Sequence, residues 1–263
     1  MSKNNYNLSK LQKSYIDHGF YIFDIVDKSQ INYLKNSILD YSKKILKIKN
    51  FDFDNAHKYI SKANLNKFRV QVINKINNNR DFEKTYYGIA ENILHQIVGN
   101  ELAMQNEISL SIQLPNDDSS LLPMHADSWS GNSPFEVVVW IPLVDVYSTK
   151  SMYILRNDKL KKFNNYFSKN KTSTISAFNK FKNDFKFLNI KFGQALIFNL
   201  TVPHGNIVNK TKETRWSMNC RFKSLFSPYN FKKFGEVFKP INIKPASLSG
   251  MNYKYPNKTD ENF

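Results

Sequence analysis

The chain has 263 residues, of which 41% are hydrophobic and 14% aromatic, which is the composition of a folded globular domain and not of a disordered chain. One cysteine, Cys220, excludes an intrachain disulfide and a thiolate metal cluster, and no apolar run approaches the roughly 20 residues of a membrane helix. The net charge of +16 is spread along the chain without a basic block, which favours compositional bias over a nucleic-acid surface, although attraction of anionic ligands also fits.

The N-terminal region is expected to be mainly helical. Its opening residues lack the apolar segment of a secretory signal, so we expect a cytoplasmic protein. Residues 8–47 predict a short helix, a strand over "GFYIFDIV" and a longer helix. In the longer helix apolar side chains recur at the helical period, at Ile31, Leu34, Ile38 and Tyr41.

Two further segments complete the N-terminal region. Residues 48–80 are polar and mixed, and they predict loops with a strand near "FRVQVI". The following stretch, "DFEKTYYGIAENILHQIVG", predicts a helix with Asp81 as its N-cap and Gly99 at its end.

Strands dominate the rest of the chain. "EISLSIQLP" alternates apolar and polar residues, as a half-buried strand does, and further strands are predicted in "FEVVVWIPLVDV", "SMYIL", "FGQALIFNLTVPHGN" and "TRWSMNCRFKSLF". Residues 157–190 show no clear periodicity beyond one helix and are interpreted as an insertion or lid, and residues 228–263 as a surface-wrapping tail. Helices followed by strands indicate a single α+β domain over residues 1–263.

His125 and Asp127 lie two positions apart in "LLPMHADSW", just before a predicted buried strand. Alternate side chains of an extended segment point to the same side, so these two can converge on one point. His204, at the end of a different predicted strand, can complete a triangle. Two imidazoles and one carboxylate on one face of a metal, with open positions opposite, form the facial triad of non-haem Fe(II) oxygenases.

The same three residues also have a simpler interpretation. The pattern His-x-Asp occurs by chance, and a single loop histidine more often makes an ordinary hydrogen bond than binds a metal. The other histidines, His18, His57 and His95, have no comparable surroundings. The spacing alone therefore does not establish a metal site.

A later strand, "RWSMNCRF", carries two arginines on one face. Its polar residues alternate with apolar ones, and they are Arg215, Ser217, Asn219 and Arg221. Burying two guanidiniums without anions costs roughly several kcal/mol. A dicarboxylate co-substrate is a suitable anion, because arginine binds a carboxylate through two parallel hydrogen bonds. The alternative is an ion pair with a core acid, Asp145 or Glu136.

Several of these segments resemble one protein family. "HGNIVNKTKETR" is similar to the distal-histidine segment of the phytanoyl-CoA dioxygenase family, whose motif positions here are Asn209, Thr211 and Arg215. "MHADSW" resembles the His-x-Asp motif of that family, and "VVVWIPLVD" its Trp-centred strand. The likeness covers residues from about 12 to 226 and is closest to a branch encoded among bacterial surface-carbohydrate gene clusters.

This resemblance implies a double-stranded β-helix, a cupin-like jelly-roll, with flanking N-terminal helices. It implies Fe(II) as the metal, 2-oxoglutarate and O2 as co-substrates, and three iron ligands: His125, Asp127 and His204. Residues implied or expected to contact 2-oxoglutarate are Arg215, Thr211, Trp140, Gln113 and Arg221, and which arginine is the main anchor is left open. We also expect three substrate contacts, at Ser128, Trp129 and Asn132.

The implied activity is that of a dioxygenase that oxidises, by hydroxylation, a small carbohydrate-type metabolite in surface-polysaccharide biosynthesis. An acidic sugar or sugar nucleotide suits the positive charge, and no membrane partner is expected. Two alternatives stay open. One is a nucleic-acid dealkylating 2-oxoglutarate oxygenase, favoured by the charge and by the paired arginines; the other is a non-catalytic cupin-like binding module. The sequence does not indicate the oligomeric state.

Overall fold

Helices occupy the N-terminal part of the chain and strands most of the remainder, in a computed structural model that describes residues 7–254. The α-helices in this range are α1 (Lys10–His18), α2 (Lys28–Leu46), α3 (Lys62–Asn77), α4 (Arg80–Ile97), α5 (Asn157–Asn170), α6 (Thr174–Lys180) and α7 (Pro245–Asn252). Of these described helices, none combines the length and apolarity needed to cross a bilayer.

The strands form two antiparallel sheets. They are β1 (Phe20–Asp24), β2 (Leu102–Gln105), β3 (Ser109–Gln113), β4 (Val137–Pro142), β5 (Tyr153–Leu155), β6 (Phe185–Phe187), β7 (Gln194–Asn199), β8 (His204–Gly205), β9 (Arg215–Ser224) and β10 (Phe238–Asn242). The larger sheet has the order β1-β7-β4-β9-β2-β10, with β3 paired to the first half of β9, and the smaller has the order β6-β5-β8.

Both sheets contribute residues to one cavity, so they form the two walls of a double-stranded β-helix. The larger sheet supplies β3, β4, β7 and β9 to the cavity wall, and the smaller supplies β8. The predicted fold class, an α+β jelly-roll with N-terminal helices, is confirmed.

The N-terminal helices cover the outer face of the larger sheet. Trp216 of β9 packs edge-on against Phe68 of α3, with ring centroids 6.1 Å apart, and its Nε1 donates to Phe53 O at 2.9 Å. Tyr86 of α4 donates its hydroxyl to Val139 O at 2.8 Å. Because this face is closed by helices, only the opposite face of the sheet is left for the cavity.

The strand predicted near "FRVQVI" is wrong, because residues 68–73 lie within helix α3. The buried side chains of α3 recur at three- and four-residue intervals, at Leu65, Phe68, Val72 and Ile76. Val70, which an alternating strand would bury with Phe68, is 45% exposed. The helical period is visible over residues 65–76 but not within the six residues of "FRVQVI" alone, which is why the sequence predicted a strand there.

Helix α4 begins two residues earlier than predicted. Its N-cap is Asn79, not Asp81, and the Asn79 Oδ1 accepts hydrogen bonds from the backbone N–H groups of Asp81 and Phe82, at 3.1 and 3.2 Å. The Asn79 amide also donates to the Tyr41 hydroxyl at 3.1 Å, so the cap ties α4 to α2. Asp81 lies in the first turn, where its charge favours the positive end of the helix dipole.

The segment at residues 157–190 is built from α5, α6 and β6, and β6 pairs with β5 of the smaller sheet. Its aromatic side chains pack together: Phe163 and Phe185 lie edge-on at 6.4 Å, and Phe185 and Tyr153 at 5.3 Å. Its role as a lid stays a prediction.

The chain after Pro228 adds an edge strand to the larger sheet, since β10 pairs antiparallel with β2. Helix α7 follows, and the final part of the predicted tail, residues 255–263, lies outside the described residues. The edge strand was not predicted from the sequence, because scattered prolines mask its short apolar pattern.

The capping assignment can be tested by substitution. Replacing Asn79 with Ala removes an N-cap that satisfies two backbone N–H groups, so we expect a loss of about 1 kcal/mol in the free energy of unfolding. Urea denaturation followed by circular dichroism measures this loss. Asp81→Ala is the matched control and should cost less; an equal or larger loss for Asp81→Ala would restore Asp81 as the cap.

Candidate metal centre

Backbone pairing brings the two histidines of the predicted triad together. The N–H of His125 donates to the O of His204 at 2.9 Å, and the N–H of His204 donates to the O of His125 at 2.8 Å. Asp127 follows at the start of a short 3-10 helix, Asp127–Ser130. One ligand atom from each of these three residues lies within 4.8 Å of the others, which is close enough for all three to bind one metal ion.

Each imidazole is oriented by a carbonyl two residues before it. His125 Nδ1 lies 2.8 Å from Pro123 O, and His204 Nδ1 lies 2.9 Å from Val202 O. A carbonyl oxygen only accepts hydrogen bonds, so each Nδ1 carries a proton, and in the neutral form of either ring the lone pair is on Nε2. This is the tautomer that binds a metal through Nε2.

Burial and neighbouring charges set the protonation states of the triad. Burial, reinforced by the charge of His125, lowers the pKa of His204 to about 4, so this imidazole is neutral at pH 7. Burial acts to raise the pKa of Asp127, but the hydrogen bond with His125 and the charge of Arg221 outweigh it and hold that pKa well below its usual range. The site therefore offers a neutral imidazole and a carboxylate at neutral pH.

Arg221 binds the carboxylate of the triad. Its Nη2 donates to Asp127 Oδ2 at 3.0 Å, and its Nη1 donates to Gln105 Oε1 at 3.0 Å. The other oxygen, Asp127 Oδ1, lies 3.5 Å from His125 Nε2. The sequence offered Asp145 and Glu136 as alternative partners for an arginine, but neither forms an ion pair with Arg221. Asp145 accepts a hydrogen bond from the backbone N–H of Phe192, and Glu136 accepts one from the backbone N–H of Ser133.

Arg215 is buried, at 3% exposure, and has no acidic partner among residues 7–254. Its Nη2 donates to the Ser111 hydroxyl at 2.9 Å, and its buried Nε has no hydrogen-bond acceptor within the described chain. Burial lowers the pKa of Arg215 to about 10, so the guanidinium stays charged at neutral pH. A buried, uncompensated cation is costly, and an anion bound beside it would remove that cost.

The triad and both arginines line a single cavity of about 330 Å³. Trp140, Val138 and Phe198 form an apolar part of its wall, and Asn132 lies on the wall near the triad. The Asn132 amide donates to Asp127 O at 2.8 Å, which holds the loop that carries the carboxylate.

The other predicted site residues lie outside the cavity lining of the described chain. Gln113 donates to Ile207 O at 2.6 Å, and Thr211 donates its hydroxyl to Asn209 Oδ1 at 2.8 Å. The backbone of Ser128 bonds to Leu200 O at 3.2 Å, and Trp129 stacks on Phe167 of α5 with ring centroids 5.0 Å apart. Their functional roles stay predictions.

Several residues that line the cavity were not singled out from the sequence. Ser111 and Asn219 lie on the polar faces of β3 and β9, so the same alternation that selected Arg215 and Arg221 could have found them. Lys232 lies in the loop between β9 and β10, where no periodic pattern identifies it.

Comparison with known proteins addresses the fold. No protein-family model matches the sequence, and no curated protein matches it significantly. Among solved structures, the non-heme monooxygenase ThoJ in complex with nickel superposes with a TM-score of 0.58 at 12% identity, over 96% of this chain and 89% of that one. The chain shares this fold.

Two further solved structures show the same likeness. The non-heme alpha ketoglutarate dependent carbocyclase SnoK from nogalamycin biosynthesis has a TM-score of 0.56 at 11% identity, over 90% of this chain and 97% of that one. HygX from Streptomyces hygroscopicus, with nickel and 2-oxoglutarate bound, has a TM-score of 0.50 at 12% identity, over 88% of this chain and 92% of that one. At these identities the likeness concerns the fold alone.

Removal of one predicted ligand tests the metal site. We expect His125→Ala, His204→Ala and Asp127→Asn each to weaken Ni(II) binding about 100-fold or more, because even changes to groups that only orient metal ligands cost roughly 10- to 100-fold. Asn at position 127 keeps a polar side chain beside Arg221. Isothermal titration calorimetry gives the affinities, and circular dichroism checks the fold.

The control for this series is His18→Ala, since His18 is exposed at the end of α1. It should bind Ni(II) as the wild type does. Wild-type affinity in any of the three triad variants would remove that residue from the metal site.

Proposed function

We propose that this protein is an Fe(II)- and 2-oxoglutarate-dependent oxygenase that oxidises a small molecule. One observation carries the proposal: a cavity that joins two histidines and an aspartate, all within 4.8 Å, to a buried arginine that lacks an acidic partner in residues 7–254. The three residues of the triad can bind a metal ion. The unpaired arginine can bind the carboxylate of a co-substrate in the same cavity.

The donor set fits iron of this type. Two imidazoles, each with its Nδ1 held by a backbone carbonyl, and one carboxylate are three protein ligands, and a facial arrangement of three leaves further coordination positions for a co-substrate. A dicarboxylate suits Arg215, because the guanidinium lines the same cavity and is charged at neutral pH. The solved structure of HygX contains 2-oxoglutarate, and this supports the choice of diacid by analogy of fold.

When bound, Fe(II) and 2-oxoglutarate supply the O2-dependent oxidation of a substrate C–H bond. The chain holds the reactants and controls their surroundings. His125, Asp127 and His204 hold the metal, and Arg221 keeps one oxygen of Asp127 occupied and the carboxylate deprotonated.

At the other end, Arg215 holds the far carboxylate of the co-substrate and sets its direction toward the triad. Trp140, Val138 and Phe198 line the cavity with apolar surface, which limits the access of water to the reacting groups.

For the substrate we infer a small carbohydrate-type metabolite and, for the outcome, hydroxylation by a dioxygenase of the phytanoyl-CoA dioxygenase type. The sequence resemblance to the surface-carbohydrate branch supports this choice. The polar part of the cavity wall near the triad, with Ser130, Asn132 and Asn219, also suits a hydroxylated ligand. The excess of basic residues favours an anionic member of this class.

Substitution of the arginines tests the co-substrate assignment. Arg215→Ala should raise the Kd for 2-oxoglutarate by about 10- to 100-fold, because a bidentate, charge-assisted contact is lost. Arg221→Ala should raise it far less, since the Arg221 guanidinium already binds Asp127 and Gln105. Calorimetric titration of 2-oxoglutarate into Ni(II)-loaded protein measures both. If the two variants ranked in the opposite order, Arg221 would be the anchor.

The activity itself is tested by anaerobic reconstitution with Fe(II) and 2-oxoglutarate, followed by exposure to O2 and a screen for substrate-stimulated succinate release. We expect stimulation by an acidic sugar or a sugar nucleotide. Stimulation by alkylated single-stranded DNA would instead support the nucleic-acid dealkylating alternative. A protein that binds the metal but forms no succinate with any candidate would be a cupin-like binding module.

A further inference from the structure

The cavity contains a third cation, Lys232, besides Arg215 and Arg221. It lies in the loop between β9 and β10 and is half-buried. No side-chain hydrogen bond or ion pair within residues 7–254 involves its ammonium group. Burial lowers the pKa of Lys232, and the positive charge of Arg221 lowers it further, whereas Glu136 and Asp127 act in the opposite direction.

The lack of a partner sets Lys232 apart from the two fully buried lysines of the described chain. Lys150 Nζ lies 2.8 Å from Asp54 Oδ1 and 2.7 Å from Glu213 Oε2. Lys223 Nζ donates to the carbonyls of Ser227 and Pro228, at 3.0 and 2.8 Å. The fold thus provides acceptors for the ammonium groups that it buries outside the cavity, and Lys232, on the cavity wall, has none.

Lys232 lies near Arg221 and not beside Arg215. Its charged neighbours are Arg221, Glu136 and Asp127, whereas no charged neighbour influences Arg215. Arg215 and Arg221 are six positions apart on β9, which separates their backbones by about 20 Å. An anion bound by Lys232 is therefore distinct from the carboxylate that Arg215 holds under the proposed function.

The loop that carries Lys232 packs against the loop that carries Asp127. The ring of the preceding residue, Phe231, lies over Gly131, so close that a Cβ at Gly131 would be 2.6 Å from the ring. Gly131 directly follows the 3-10 helix that begins with Asp127. Ser130, on the same turn, is exposed and also lines the cavity. The loop that carries Lys232 is thereby held against the loop that carries the metal ligand.

We propose that Lys232 forms a subsite for an anionic group of the substrate, a carboxylate, phosphate or sulfate, on the part of the cavity wall near Arg221. This inference rests on the proposed function and adds to it the charge of the substrate and the residue that recognises it. Ser130, which is exposed and lines the same cavity, offers a hydroxyl to the polar remainder of the molecule. A neutral sugar would leave the ammonium group without a counter-ion.

The test begins with full-length protein loaded with Ni(II), to prevent turnover, and 2-oxoglutarate. D-glucuronate and D-glucose 6-phosphate are the anionic probes, and D-glucose is the neutral one. We expect calorimetry to show about tenfold tighter binding of at least one anion than of glucose, the gain that a single charge-assisted hydrogen bond provides. Lys232→Gln should abolish this preference without changing the affinity for Ni(II) or 2-oxoglutarate.

Lys233→Gln is the matched control, because it removes the same charge from the adjacent, exposed position. It should keep the preference, which separates a local subsite from general attraction by a chain of net charge +16. The inference is overturned if the wild type prefers neither anion, if Lys232→Gln keeps the preference, or if Lys233→Gln loses it equally.

The loading step separates this inference from the function on which it rests. If Ni(II) or 2-oxoglutarate fails to bind to the wild type, the proposed function fails and the subsite fails with it. If both bind and the anion preference is missing, the Lys232 subsite alone is wrong.

Discussion

The alternation of side chains along β9 is the constraint on which the core and the cavity both depend. One face of this strand supplies Trp216, Met218, Cys220 and Phe222 to the core, all fully buried. The other face supplies Arg215, Asn219 and Arg221 to the cavity. Pairing with β3 and β4 sets its register, and a slip of one residue would bury the arginines among the helices. Stability and site geometry are therefore fixed by the same backbone hydrogen bonds.

Much of the architecture could be predicted from local pattern. The strands around "SLSIQ", "VVVWIP" and "RWSMNCRF" alternate or run apolar over enough residues to show their period, and the structure places strands there. Helix α3 was missed because six residues of "FRVQVI" fit a strand, while its buried side chains span twelve. The meeting of His125, Asp127 and His204 could be predicted, because each residue lies next to a strand that the hydrophobic pattern of the sequence indicates.

The partners of the charged groups could not be predicted in the same way. Arg221 pairs with Asp127 because of the position of the loop that carries Asp127. Contacts between elements distant in sequence set the position of this loop. The same holds for the partners of Gln113 and Thr211, which are the carbonyl of Ile207 and the side chain of Asn209. Lys232 belongs to a loop without periodicity, and only its packing against the metal-ligand loop reveals its place.

The reciprocal backbone bonds between His125 and His204 have a consequence for metal exchange. In small zinc domains the metal must order the chain, so part of the binding free energy offsets lost conformational entropy. Here the strand pairing already fixes both imidazoles, and carbonyls of Pro123 and Val202 fix their rotation. The candidate site is thus preorganised by the chain itself. Under the proposed function, an ion could leave and be replaced without unfolding of the chain, and metal supply and ligand chemistry would decide which metal occupies the site.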